Sequence, residues 1–255
     1  EKLADYENWT FDEAVAQLQA HYGGYHFSQR NMTEIFKPFS LIKALSLTKI
    51  DNYWDSSETA PLLPPLEISL ENRLEDLENC ALMNTIIETA DVSEGGAELF
   101  LYHSVYLTIK GYYERVYLLG FPNHEVRQAL YEMVLPVLTL RKNGDIQSTQ
   151  AFLMLSLQQG NLEEAKKCLK SLVADVPYSN KKLASMDMEE RYRLILSTIF
   201  NAIGCRIEVE KMIATGRIDM VVEVTHYIYV LELKLSNNGG ISAAEAQIKA
   251  KQYAE

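Results

Sequence analysis

The chain is poor in basic residues: 24 Lys and Arg stand against 35 Asp and Glu among its 255 residues, a formal net charge of −11. A surface acidic all over would repel a phosphate backbone, so any nucleic-acid contact has to be local. Cysteine is also scarce. Cys80, Cys168 and Cys205 show neither metal-ligand spacing nor a paired disulfide framework. Together with the lack of a signal-peptide pattern after Glu1, this leads to the expectation of a reducing cytoplasm. Each thiol reads as a small buried hydrophobe rather than a nucleophile. No apolar run approaches the roughly 20 residues that span a bilayer, so no membrane partner is expected. A GxxxxGK[ST] phosphate loop is missing too, so these residues are not expected to hydrolyse a nucleotide.

What is present is a globular composition, 47% hydrophobic and 23% charged, long enough to bury a large core in two or three domains. The acidic excess is uneven. Residues 1–177 hold 14 basic and 25 acidic side chains, whereas Tyr178 to Glu255 hold ten of each. The last third is therefore neutral, and the acidity of the first part does not bear on what it touches.

Four parts are expected. Residues 1–65 carry a helix with Phe11, Ala14, Val15 and Leu18 on one face. A second helix begins after Ser40 as N-cap, with Leu41, Ile42, Ala44, Leu45 and Leu47. Asp51 to Asp55 and the prolines at 61, 64 and 65 mark its boundary. Residues 66–140 show a helix near Leu74–Thr89, a short helix at Glu98–His103, a hairpin of Val105–Lys110 and Arg115–Leu119 about Gly111-Tyr112-Tyr113, and a helix at Glu125–Leu138. Helices followed by a hairpin resemble a winged helix, but these helices are poor in the Lys and Arg that reading DNA requires. Residues 141–177 form a helical hairpin, Ile146–Gln158 and Leu162–Ala174, about Gly160-Asn161. Residues 178–255 read helix (Asp187 or Met188 to Ile203, stopped by Gly204), strand (Arg206–Lys211), two further strands, and a final helix (Ser242–Ala254).

The two further strands, Arg217–Val224 and Tyr227–Leu235, lie in GRIDMVVEVTHYIYVLELKL. A symmetric turn at Thr225-His226 sets Asp219 opposite Glu232 and Arg217 opposite Lys234. Side chains alternate along a strand, so Glu232 and Lys234 share a face with Asp219. Both faces of the hairpin are largely apolar, as in a sheet covered on both sides. Charges set in such strands cost several kcal/mol unless paired or bound to a metal (roughly, before any pKa shift). Two facing carboxylates repel, and a divalent cation reconciles them.

Helix, three strands, helix, with Glu190 on the first helix, Asp219 on the second strand and Glu232-x-Lys234 on the third, resembles the PD-(D/E)XK nuclease superfamily. The words that carry it are EERYRLIL, TGRIDMVVE, YVLELKL and AEAQIKAKQYA. More widely, YGGYHFS, KPFSLIKAL and IDNYW look like the close of an AAA-type ATPase module, as in proteins of Bacteroidetes and related bacteria that carry such a nuclease-like domain behind the ATPase. The resemblance implies a mixed α+β and α/β multidomain chain. A helical, winged-helix-like first part would precede a restriction-endonuclease-like α-β-β-β-α core whose final strand is missing, with an ATPase module upstream.

For the site, the resemblance implies Mg²⁺ or Mn²⁺ held by Asp219 and Glu232 with Glu190 completing the set, for hydrolysis of a phosphodiester in nucleic acid, DNA above all. Lys234 would position the attacking water, help to deprotonate it and stabilise charge on the phosphorane, and Gln247 would orient Lys234 or a phosphate. Arg217, Lys249 and Lys251 would contact backbone phosphates. Other readings stand beside these. Lys234 can be a structural ion-pair partner, Glu190 an ordinary first-turn acid, Gln247 an exposed polar residue, and the three basic residues a solvated rim. At the level of the protein, the alternatives are a non-catalytic interaction module with a vestigial site and a winged-helix DNA-binding regulator.

Overall fold

The computed structural model describes residues 2–54, 74–89, 96–139, 143–174, 186–213, 216–235 and 239–250. Among them the chain is mixed α/β, with two three-stranded antiparallel sheets. It divides into two compact units, residues 1–130 and 131–255.

The first unit opens with α1 (Lys2–Glu7) and α2 (Phe11–Tyr22). A capping box starts α2: the Thr10 side chain accepts from the Glu13 N–H, and Glu13 Oε2 accepts from the Thr10 N–H at 2.7 Å. Next comes α3 (Pro38–Leu47), and here the expected cap is corrected. The helix begins at Pro38 behind Lys37, because proline suits the first turn, and Ser40 lies fully buried inside the helix. Tyr22, Ala44 and Tyr53 form a core cluster with Leu18, Phe36, Leu41 and Ile50 packed against it. Asp51 is tied into this core, since the Tyr22 hydroxyl donates to its carbonyl at 2.8 Å. Residues 55–65, which carry the proline cluster, lie outside the described residues.

The expected helix over 74–89 is broken into three pieces: a 3-10 turn (Leu74–Asn79), β1 (Cys80–Met83) and α4 (Asn84–Thr89). Pairing decides this, because Cys80 to Met83 run antiparallel to β3, Cys80 opposite Leu119 and Met83 opposite Val116. After α5 (Gly96–His103), β2 (Thr108–Tyr113) and β3 (Val116–Gly120) complete the sheet in the order β1-β3-β2. The hairpin turn therefore falls at Glu114-Arg115, with Glu114 at φ 53°, and not at Gly111 to Tyr113. Gly111 sits instead where the β2–β3 register shifts. From His124 to Thr139 runs α6.

In the second unit α7 (Asn143–Gln158) and α8 (Leu162–Val173) form the expected helical hairpin, turning at Gly160 with φ 69°. Asn161 caps α8 by accepting from the Glu164 N–H at 3.2 Å. Then come α9 (Met188–Ala202), β4 (Arg206–Ile213), β5 (Gly216–Glu223), β6 (Ile228–Leu231) and α10 (Gly240–Ala250), in the expected helix, three strands, helix order. The sheet order is β4-β5-β6. One side of the β5–β6 hairpin packs on the helical hairpin: the Tyr229 hydroxyl donates to the Leu157 carbonyl at 2.6 Å, and a Cβ at Gly160 would lie 2.8 Å from the Tyr227 ring. Val230 and Ile248 of α10 pack against a cluster of Ile218 and Val221, which project from opposite faces of β5. The hairpin is thus covered on both faces, which accounts for its double apolar alternation.

The cysteines are free, and Cys168 and Cys205 are buried. Burial pushes the Cys205 thiol up to about 12 and the Cys80 thiol up to about 11, so neither is a ready nucleophile.

Candidate active site

The site is built on the β5–β6 hairpin. Thr225-His226 forms its turn, closed by the Val224 N–H donating to the Tyr227 carbonyl at 2.9 Å. The rungs are Glu223–Ile228, Val222–Tyr229, Val221–Val230 and Met220–Leu231, the register a symmetric turn predicts. Asp219 and Glu232 come one step past the last rung. The expected strand to Leu235 stops at Leu231, because the next amides are taken by side chains instead of by the ladder. The Leu233 N–H donates to Asp219 Oδ2 at 2.8 Å, and the Leu235 N–H donates to Glu189 Oε1 at 3.1 Å. Two carboxylates thereby hold the main chain on either side of Lys234.

Asp219 is 8% exposed, and the Glu232 side chain is wholly buried. The Lys234 ammonium lies 3.1 Å from Glu232 Oε1, with its side chain 24% exposed. Burial presses that ammonium towards neutrality. The hydrogen bond and charge of Glu232, with the charges of Asp219 and Glu189, outweigh burial and hold the Lys234 pKa above the usual lysine value. Lys234 is therefore a fixed positive charge among three carboxylates, suited to stabilising an anion more than to accepting a proton.

The helix also brings to the site an acid that the sequence reading did not single out, Glu189. Asp187 caps α9 by accepting from the Glu189 N–H at 3.1 Å, which puts Glu189 and Glu190 both in the first turn. Glu189 contacts the Lys234 segment, and Glu190, next to it in sequence, is half-buried. Helical periodicity could not choose between them. Every residue from Leu194 to Ala202 is buried, so α9 lacks a single apolar stripe that would aim its first turn. A helix start at Asp187 or Met188 was readable, but which carboxylate meets Leu235 depends on where the strand passes.

Beside the site, Glu210 of β4 has φ 52° and lies between the rungs Val209–Met220 and Lys211–Ile218 of an unbroken register, at the position across from Asp219. Its Oε1 lies 3.2 Å from Arg193 of α9 and 3.4 Å from Arg217 of β5. Arg217 is half-exposed within this ion-pair group. Gln247 is half-buried on α10 next to Ile248, and Lys249 is exposed. Lys251 lies outside the described residues.

Among the described residues, no group of three or more His, Cys, Asp or Glu side chains is gathered as a metal cage. A hard divalent cation does not require one, since Mg²⁺ is commonly bound through one or two carboxylates and keeps several waters. Asp219 and Glu232 supply hard oxygen donors of that kind, and the donor set suits such an ion.

Residues 187–255 match the family model of the PD-(D/E)XK nuclease superfamily, so a domain of this superfamily occupies the C-terminal end. The mixed α/β architecture is consistent with that assignment. The chain is also similar to a curated protein of Azotobacter chroococcum mcd 1, described as an uncharacterized protein in the vnfD 5' region. The two are 25% identical over 253 residues, covering 94% of this chain and 46% of the relative. This chain thus spans less than half the length of the relative it matches. No solved structure matches it. No helix among the described residues is long and apolar enough to cross a membrane.

Proposed function

We propose that the C-terminal domain hydrolyses phosphodiester bonds in nucleic acid, DNA above all, with Mg²⁺ or Mn²⁺. The observation that carries the proposal is the hairpin register, which brings Asp219, Glu232 and Lys234 to one end of β5–β6 in a segment matching a nuclease superfamily. Asp219 and Glu232 would hold the cation, with a helix carboxylate at 189 or 190 completing or orienting the site. The cation would activate the attacking water and neutralise phosphate charge. Lys234 would oppose the negative charge that builds on the phosphorane, in a site where burial strengthens the effect. Gln247 would orient Lys234 or a phosphate, and Arg217, Lys249 and Lys251 would track the backbone. We further assign the first 65 residues to the close of an ATPase-like module, with the winged-helix-like part and the helical hairpin linking it to the nuclease-like domain.

One observation favours a second reading. Asp219, Glu232 and Glu189 each already engage a group of the protein, as a structural ion cluster in a non-catalytic interaction module would. The test is cleavage of plasmid, single-stranded DNA and RNA with Mg²⁺, Mn²⁺ or EDTA, alongside Mn²⁺ calorimetry on the wild type and Asp219→Ala. Metal-dependent cleavage and Mn²⁺ binding, both lost in D219A, are expected. A folded wild type that binds no divalent ion favours the structural cluster.

A further inference from the structure

The Lys234–Glu232 pair bears on how a cation enters the site, and the inference rests on the metal-dependent reading above. Glu232 is wholly buried, and a buried carboxylate needs a counter-charge. Lys234 provides one at 3.1 Å. The main chain around it is pinned at Leu233 by Asp219 and at Leu235 by Glu189, so the freedom left to the ammonium lies in its own four-carbon stem. A divalent cation bound by Glu232 would repel an ammonium so placed, and low local dielectric makes the repulsion severe.

We propose that Lys234 competes with the divalent cation for Glu232, and that cation uptake swings the Lys234 ammonium off Glu232 towards the phosphate of the substrate. The site would exchange one counter-charge for another without moving the backbone. The ammonium would reach its working position only when the cation is in place, which couples phosphate stabilisation to metal loading.

The experiment uses the full chain. Mn²⁺ affinity is measured by calorimetry on the wild type, Lys234→Met and Asp219→Asn, and the Lys234 side-chain ammonium signal is followed by NMR through a Mg²⁺ titration. K234M is expected to bind Mn²⁺ about tenfold more tightly than the wild type, since a competing unit charge is gone. The Lys234 signal is expected to shift on Mg²⁺ addition in the wild type and not in D219N. Unchanged or weaker affinity in folded K234M overturns the proposal, and so does an unmoved Lys234 signal while Mg²⁺ binds. The NMR arm decides alone where K234M does not fold. Failure of both wild type and K234M to bind either ion overturns the metal-dependent reading itself and the competition with it.

Discussion

Removing Glu189 separates a positioning carboxylate from an ordinary first-turn acid. In Glu189→Ala the Leu235 N–H, partly buried at the end of the Lys234 segment, loses its acceptor at 3.1 Å. Leaving such a donor unsatisfied costs about 1–2 kcal/mol. For a unit of this size that is a fall in Tm of about 4–8 °C. Glu189→Gln keeps an oxygen at the same position, so its loss should stay within about 0.5 kcal/mol. Calorimetric melts of the two variants should place E189A well below E189Q, with E189Q near wild type. The activity of E189A should fall with its stability and be restored in E189Q, because the contact acts through main-chain position. An E189A protein as stable as wild type would refute the placement of α9 against the Lys234 segment.

Two further outcomes test the first unit. Gly24 has φ 78°, and a Cβ there would lie 2.0 Å from the Pro122 carbonyl oxygen, so Gly24→Ala should cost at least about 2 kcal/mol in urea unfolding. Burial raises the Glu125 pKa, against the opposing pull of Ser40, the Tyr53 and Trp54 amides and Lys37. A carboxyl raised in the fold stabilises fully below its unfolded pKa and loses that contribution as pH rises through the folded one. The Glu125 contribution to stability should therefore decline as pH rises from the acid range towards neutrality. Glu125→Gln, which keeps an acceptor for the Tyr53 N–H, should flatten that decline in a denaturant-midpoint series.

Much of the C-terminal unit was legible because its signals are local. The Asp187 cap and the Gly204 stop, at φ 78°, fix the ends of α9 with partners only a few residues away. The two-residue turn and strict alternation fix which residues of β5 and β6 face each other, since a one-residue slip would reverse every side chain. Positions with non-local partners were misread. Cys80 to Met83 read as helix until β3 supplied a ladder across α4, α5 and β2. The Pro38 start displaced Ser40 from its expected cap and sent it into the core.

For the candidate site, the sequence by itself determined that Asp219, Glu232 and Lys234 meet at one end of a doubly covered hairpin, because period-two geometry and a symmetric turn leave one register. Tertiary structure alone decided how that end is finished. The ladder gives way past Leu231, and Asp219 and α9 supply the missing acceptors to Leu233 and Leu235. Every buried amide must find a partner, and which side chain answers depends on elements that meet only in the folded chain.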